Sequence, residues 1–353
     1  MKNKGNKSRR IFLKQSSFGL GAGIVGASFS SFLSAKSGST FKSPGVISVA
    51  TIDLLGLWKD STIESRIKNV LGRMEELSGL KPDIICLPEL FSTMYILEKI
   101  SPDEVAEDEK IPGLVTGRIA EFAGKYKCYV VCPVYTRNNG HIYNSSALID
   151  RKGQIAGVYH KTHPSMVEML ANGTSGRGIT PGILNQPVIQ TDFGRVGMQI
   201  GYDAYWKDGW DNIKNQGADI ILFSSDFPGG KMLNHYALQN SCYIISSTAG
   251  DARIIDISGN DLHASSTFIR YGWDNINLEK VIIDSWPTNE ILPDIFNKYG
   301  DKLNFRIWDN NWTATVESRD PEIKIQDVFK DFKITPTEEL IERTEEVQKK
   351  YRL

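Results

Sequence analysis

Continuous apolar runs that alternate with amphipathic segments are the feature that most limits how this chain can fold. The run at 84–87 has no polar face, which is typical of a strand covered on both sides. Just before it, residues 61–77 repeat apolar side chains at helical spacing, and Ser61 with Glu64 predicts a capping box at the start. Similar strand-like runs recur at 129–135, 196–200, 220–223 and 243–247. The alternation predicts an α/β fold with buried sheets.

The same pattern predicts how the chain is divided. No low-complexity linker or internal repeat interrupts 46–286, so we predict one domain over 46–290 and an extension over 291–353. A further strand is expected at 264–269. The extension should end in a helix that starts at Pro336, with an inner face formed by Leu340, Thr344, Val347 and Tyr351.

Charge sets the first residues apart from the rest. Six of the 41 basic residues lie in 1–35, which holds no acidic residue, and the other 35 face 42 acidic residues, a net charge of −7. This balance argues against a nucleic-acid partner.

The string 8–14 (SRRIFLK) resembles a bacterial twin-arginine export signal. That resemblance implies a signal peptide over 1–35, the twin-arginine export machinery as a partner and a periplasmic protein. An uncleaved leader would instead act as a membrane anchor.

All four cysteines lie in apolar, strand-like runs. Cys128 and Cys132 are four residues apart on one expected strand, roughly 13 Å along it, which is too far for a disulfide. We therefore predict that these two, with Cys86 and Cys242, are buried free thiols.

Reactive side chains in buried α/β sheets collect where strands end. Glu89 follows the run at 84–87, and a carboxylate there is partly desolvated, which raises its pKa and suits proton transfer. Lys161 follows the second arm of an expected hairpin. The strand expected at 196–200 is followed directly by Gly201, Tyr202 and Asp203.

Taken in order and spacing, these junctions resemble the nitrilase superfamily of carbon–nitrogen hydrolases. The resemblance covers roughly 47–285, and its matching stretches are 83–89, 143–149, 159–163, 180–182, 193–200 and 217–221. It implies a four-layer α-β-β-α sandwich, a homodimer or higher homo-oligomer, and a Glu-Lys-Cys triad that acts on nitriles, amides or carbamoyl groups. We predict no cofactor. By the same resemblance Glu89 is the general base, Lys161 steadies the oxyanion and Glu168 is a second Glu after the Lys.

The position of the nucleophilic Cys holds Gly201, which cannot form a covalent intermediate. Backbone N–H groups near Gly201 and Tyr202 could still form an anion hole, and we assign Tyr202, Asp203 and Ser225 to oxyanion or substrate binding. His160 and His163 flank Lys161, but no acidic or thiol cluster accompanies them, so no metal is predicted.

Three functions stay open on the sequence. The first is a catalytically silent member that binds a small amide-like ligand or a partner. The second is a hydrolase of amides, nitriles or ureido compounds that uses water activated by Glu89 or a substitute nucleophile, the candidates being Ser224, Ser225, Tyr202, Cys86 and Cys242. The third is a structural subunit of an assembly. Whether the protein is an enzyme is thus undecided at this stage.

Overall fold

The computed structural model describes residues 45–57, 62–96, 101–170, 178–266, 268–308 and 311–352. The twin-arginine string and Ser61 lie outside these residues. Within the described ranges, no helix combines the length and apolar character that a membrane span needs.

The strands and helices alternate along the chain. The strands are Val46–Ile52 (β1), Ile84–Cys86 (β2), Glu107–Asp108 (β3), Tyr129–Asn138 (β4), His141–Ile149 (β5), Ile155–His160 (β6), Ile189–Gln190 (β7), Arg195–Ile200 (β8), Ile220–Ser225 (β9), Tyr243–Thr248 (β10), Ala252–Ile255 (β11), Asp261–Ala264 (β12), Tyr271–Asn277 (β13), Val281–Asp284 (β14), Leu303–Trp308 (β15) and Thr313–Ser318 (β16). The α-helices are Ile63–Leu77 (α1), Pro102–Val105 (α2), Leu114–Tyr126 (α3), Met166–Met169 (α4), Lys207–Asn215 (α5), Gly230–Asn240 (α6), Leu292–Tyr299 (α7), Ile325–Phe332 (α8) and Thr337–Tyr351 (α9).

Two large sheets form the centre of the molecule. The first has the order β13-β1-β2-β4-β5-β6, with β3 added beside β4, and the second has the order β12-β11-β10-β9-β8-β7. In each sheet the central strands run parallel, β1 with β2 and β4, and β8 with β9 and β10. Parallel strands need long crossovers, and the amphipathic helices supply them.

The two sheets pack face to face, and helices cover their outer faces. In β2, Ile84 and Cys86 point into the core between the sheets, whereas Ile85 points into the outer core beneath α1 and α3. Trp210 of α5 and Leu233 of α6 cover the second sheet. Because side chains alternate across a strand, a run with no polar face requires cover on both sides. These layers confirm the four-layer α-β-β-α sandwich.

The start of α1 differs from the prediction. The helix begins at Ile63, and its N-cap is Thr62, whose hydroxyl oxygen accepts a hydrogen bond from the Ser65 N–H at 3.2 Å. The strand expected at 264–269 is also wrong, because β12 ends at Ala264. Residue Ser266 instead accepts the Ile269 N–H with its side chain and forms a turn.

The last part of the chain builds a small sheet of its own, in the order β14-β16-β15. Its core includes Ile283, Ile295, Val316 and Phe329. The prediction of an inner face for α9 is wrong, since that helix has no buried residue and Leu340 is 42% exposed. The apolar periodicity is present, but among the described residues no element buries the apolar side chains of this helix.

Candidate functional site

The carboxyl ends of four strands meet at one cavity, three of them inside their sheets and one, β6, at a sheet edge. Glu89 follows β2, Lys161 follows β6, Gly201 follows β8 and Asp226 follows β9. All four line a cavity of about 330 Å³. The remaining lining is mostly apolar or aromatic, from Leu90, Met94, Tyr95, Val167, Tyr202 and Phe227, with Ser165 and Glu168. The strand ends singled out in the sequence therefore do come together.

Lys161 is the centre of the charged cluster in this cavity. Its ammonium donates to Oε1 of Glu89 at 2.8 Å and to both carboxylate oxygens of Glu168 at 3.0 Å. Glu168, identified loosely in the sequence, is held by α4, where Ser165 and Glu168 form a capping box. Lys161 is 4% exposed and Glu89 5%, so these charges are stabilised by each other rather than by water.

Asn144 is a member of this cluster that the sequence reasoning left without a role. Its amide donates to Oε1 of Glu89 at 2.8 Å and to Oε1 of Glu168 at 3.0 Å. It lies on β5, and its backbone carbonyl oxygen accepts the backbone N–H of Lys161 at 2.8 Å. The signal available in the sequence was an Asn inside a strand-like run. Such an Asn is buried by the sheet, as Asn144 is, and a buried amide needs polar partners.

The cluster separates the proton affinities of its two carboxylates. Desolvation raises the pKa of Glu89, the Lys161 ammonium opposes that rise, and the Glu168 carboxylate adds to it. Burial would also raise the pKa of Glu168, but Lys161 and the Ser165 N–H outweigh burial and lower it. Burial alone would lower the pKa of Lys161, yet the two carboxylates raise it, so its amine stays an ammonium. Glu89 is thus the group of this cluster suited to accept a proton.

Gly201 contributes backbone but no side chain to the cavity. It is the first residue of a 3₁₀ turn at Gly201–Tyr205 and has φ +48°, in the left-handed region that favours glycine. A Cβ atom built on Gly201 would lie 2.5 Å from Oε2 of Glu89. The Glu89 carboxylate therefore occupies the space in which a side chain of residue 201 would begin.

Three of the substitute nucleophiles considered above, Cys86, Cys242 and Ser224, are held away from the cavity. Burial raises the pKa of the Cys86 thiol to about 12, and burial also raises that of Cys242 well above its usual value. Ser224 is fully buried and donates its hydroxyl hydrogen to the Leu87 carbonyl oxygen at 2.8 Å. Neither these two thiols nor the Ser224 hydroxyl belongs to the described lining of the cavity.

Of the three residues assigned to ligand binding, only Tyr202 lines the cavity. Asp203 lies outside this lining, and its buried carboxylate accepts hydrogen bonds from the Tyr159 hydroxyl and from the N–H groups of Ile200 and His163. Ser225 also lies outside it, and its buried side chain accepts the Phe227 N–H at 3.0 Å. Both residues shape the backbone beside the cavity. Asp226, one residue further on, is a charged lining residue that sequence reasoning missed.

His163 connects the cavity wall to the start of α5. Its Nδ1 lies 3.3 Å from Oδ1 of Asp203, its Nε2 lies 3.4 Å from Oδ1 of Asp208, and its ring stacks on Trp206 with centroids 4.6 Å apart. Burial would lower the pKa of His163, but the two carboxylates outweigh burial and raise it.

The His163 contacts predict a pH-dependent stability. Because the folded-state pKa is raised, the stabilisation is fully present below the unfolded pKa of about 6.5 and is lost as the pH rises through the folded pKa. We expect His163→Gln to lower the free energy of unfolding more at about pH 6 than at about pH 8, measured by urea unfolding. His235→Gln, on an exposed position of α6, is the control. Equal losses at both pH values would show that these carboxylates do not bind a protonated ring.

The comparisons with known proteins agree with this architecture. A family model described as carbon–nitrogen hydrolase matches residues 51–269, more than half of the chain. A nitrilase from Pyrococcus abyssi is 27% identical over 198 residues, which are 54% of this chain and 72% of that protein. A deaminated glutathione amidase from Mus musculus is 29% identical over 118 residues, 31% of this chain and 36% of that protein.

The matches do not extend over the whole of every relative. The nitrilase and fragile histidine triad fusion protein of Drosophila melanogaster is 26% identical over 150 residues, which are 39% of this chain and only 32% of that protein. The chain thus spans about a third of the length of some of the curated relatives that it matches.

Solved structures share the fold. A carbon–nitrogen hydrolase from Helicobacter pylori G27 superposes with a TM-score of 0.55 at 16% identity, covering 73% of this chain and 95% of that one. A member of branch 10 of the nitrilase superfamily from Saccharomyces cerevisiae gives 0.56 at 18% identity, covering 72% and 94%. With the family match over residues 51–269, these similarities lead to one conclusion: the chain belongs to the carbon–nitrogen hydrolase family.

Proposed function

We propose that this protein binds a small amide-like ligand in the cavity at Gly201 and does not hydrolyse it through a covalent intermediate. The observation that carries the proposal is the pairing of an intact charged cluster with an empty nucleophile position. Glu89 and Lys161 are buried and Glu168 is half-buried beside the cavity, whereas residue 201 has no side chain.

The charged cluster supports ligand binding, because burying its charges costs desolvation free energy that stability alone does not explain. Buried ion pairs often contribute little to stability compared with apolar residues of similar volume. Here they border a cavity with aromatic and aliphatic walls, which is the usual composition of a small-molecule site. The amidase and nitrilase names of the relatives favour amide or nitrile groups as the ligand class.

The leader and the assembly complete the proposal. The string 8–14 and the basic excess of 1–35 support export through the twin-arginine machinery, so that binding would take place outside the cytoplasm. A homodimer stays a prediction of the family resemblance. The exposed apolar side chains of α9 are compatible with a surface that another chain covers.

Ligand-induced stabilisation tests the proposal. We expect small amides to raise the melting temperature, since a ligand that binds only the folded state stabilises it, while the amides are recovered intact with no ammonia released. Val167→Trp should abolish the shift, because Val167 is 55% exposed, lines the cavity and can be enlarged without repacking a core.

The matched control is Leu170→Trp, which adds the same side chain at an exposed position next to α4 outside the lining. This variant should respond to amides as the parent does. Ammonia release by the parent that Glu89→Gln abolishes would instead establish hydrolysis by Glu89-activated water. A panel without any melting shift or ammonia release would leave the structural-subunit alternative.

A further inference from the structure

The hydrogen-bond inventory of the cavity shows which polar groups a ligand can use. An ammonium has three N–H donors, and Lys161 directs its contacts to Oε1 of Glu89 and to both oxygens of Glu168. Glu168 also accepts the Asn144 amide and the Ser165 N–H. Lys161 therefore has no N–H left for a ligand oxygen, and Glu168 has its acceptor positions filled.

Glu89 is different, because one of its oxygens is only partly used. Its Oε1 accepts from Lys161 and Asn144, whereas Oε2 accepts only the Asp226 N–H, at 3.1 Å. A carboxylate oxygen accepts about two hydrogen bonds. Oε2 therefore keeps one acceptor position, and it lies against Gly201, where a Cβ would come within 2.5 Å. A ligand resting on Gly201 therefore meets the remaining acceptor position of Oε2.

The charge of the described lining favours a positive ligand. Three carboxylates, from Glu89, Glu168 and Asp226, accompany one ammonium, from Lys161. Asp226 is exposed at the mouth of the cavity, where its Oδ1 accepts the Tyr95 hydroxyl. Aromatic rings of Tyr95, Tyr202 and Phe227 border the same space. Carboxylates and aromatic faces both attract cations.

We propose that the ligand of this cavity carries a planar cationic group of the amidinium or guanidinium type, which donates N–H groups to Oε2 of Glu89 and to the Asp226 carboxylate. The inference rests on the proposed function, and it names the ligand class. A planar cation has several N–H donors in a plane and no acceptor, which suits a cavity lined by two carboxylates that can accept from it. The ring or chain attached to it would lie against the aromatic wall.

Benzamidine and benzamide provide the test, because they share shape and ring and differ in charge and in one acceptor. We expect benzamidine to bind about tenfold more tightly by titration calorimetry, since charge-assisted hydrogen bonds are roughly twice as strong as neutral ones. Asp226→Asn should reduce that ratio at least about threefold, while it keeps an acceptor for the Tyr95 hydroxyl. Asp294→Asn, at an exposed position of α7 outside the lining, is the control and should leave the ratio unchanged.

The outcomes separate this inference from the proposal on which it rests. Benzamide binding as tightly as benzamidine, or more tightly, overturns the cationic ligand and leaves amide binding in place. Failure of both compounds to bind overturns the cationic ligand, and failure of the whole amide panel as well overturns the proposed function. An unchanged ratio in Asp226→Asn and Glu89→Gln shows that the preference arises elsewhere on the surface and also overturns the inference.

Discussion

Ammonia release from simple amides by this protein is expected to be about a million-fold slower than release by a thiol hydrolase of the same fold. The reason is that Gly201 offers no side chain for a covalent intermediate. A loss of this size corresponds to roughly 8 kcal/mol of transition-state stabilisation, at about 1.4 kcal/mol for each factor of ten. The measurement is ammonia release over a panel of amides and nitriles, with purified protein at high concentration.

A thiol at this position should restore part of the rate. We expect Gly201→Cys to exceed the parent at least about a hundredfold, the lower end of what a positioned general base contributes. The new side chain would lie against Glu89, whose raised pKa suits it to take the thiol proton. The variant should also be less stable by about 1–3 kcal/mol, because φ +48° strains a residue with a Cβ.

Gly201→Ala is the matched control for this variant. It introduces the same Cβ and the same backbone strain without a thiol, so it should be as destabilised as Gly201→Cys and as inactive as the parent. If Gly201→Cys released no ammonia although it folded, the cavity would lack more than a nucleophile. Turnover in the parent itself would contradict the expected loss directly.

Lys161→Met should lower the free energy of unfolding by about 3–5 kcal/mol. The substitution keeps most of the side-chain volume but leaves the carboxylates of Glu89 and Glu168 buried without the ammonium 2.8 Å and 3.0 Å away. The two carboxylates would then bind protons more readily, so the loss should shrink as the pH falls. Urea unfolding of the parent and the variant over a range of pH measures both effects.

Two further variants make this second prediction specific. Lys125→Met removes an ammonium 3.1 Å from Glu75 at the surface, where both side chains are exposed, and should cost less than about 1 kcal/mol. Combining Lys161→Met with Glu89→Gln should recover part of the loss, because it removes one of the unpaired charges. A Lys161→Met protein as stable as the Lys125→Met protein would mean that water reaches the cluster and screens it.

Local patterns predicted much of the fold and of the site. The run at 84–87 required a strand with cover on both faces, and the structure places alternate side chains of β2 in two different cores. Glu89, Lys161 and Gly201 were found because strand ends follow from such runs. Local patterns failed for α9, whose apolar stripe is exposed, because periodicity predicts a face but not a neighbour to cover it.

The sequence by itself determined that this chain is an α/β protein and that residue 201 has no side chain, since both properties depend on residue identity and short-range order. Only the tertiary structure decided that Lys161 donates its N–H groups to two carboxylates and that Oε2 of Glu89 lies beside Gly201. Glu89 and Lys161 are 72 residues apart in the chain. Whether such groups meet at hydrogen-bond distance depends on how two sheets and a short helix pack, which no local pattern specifies.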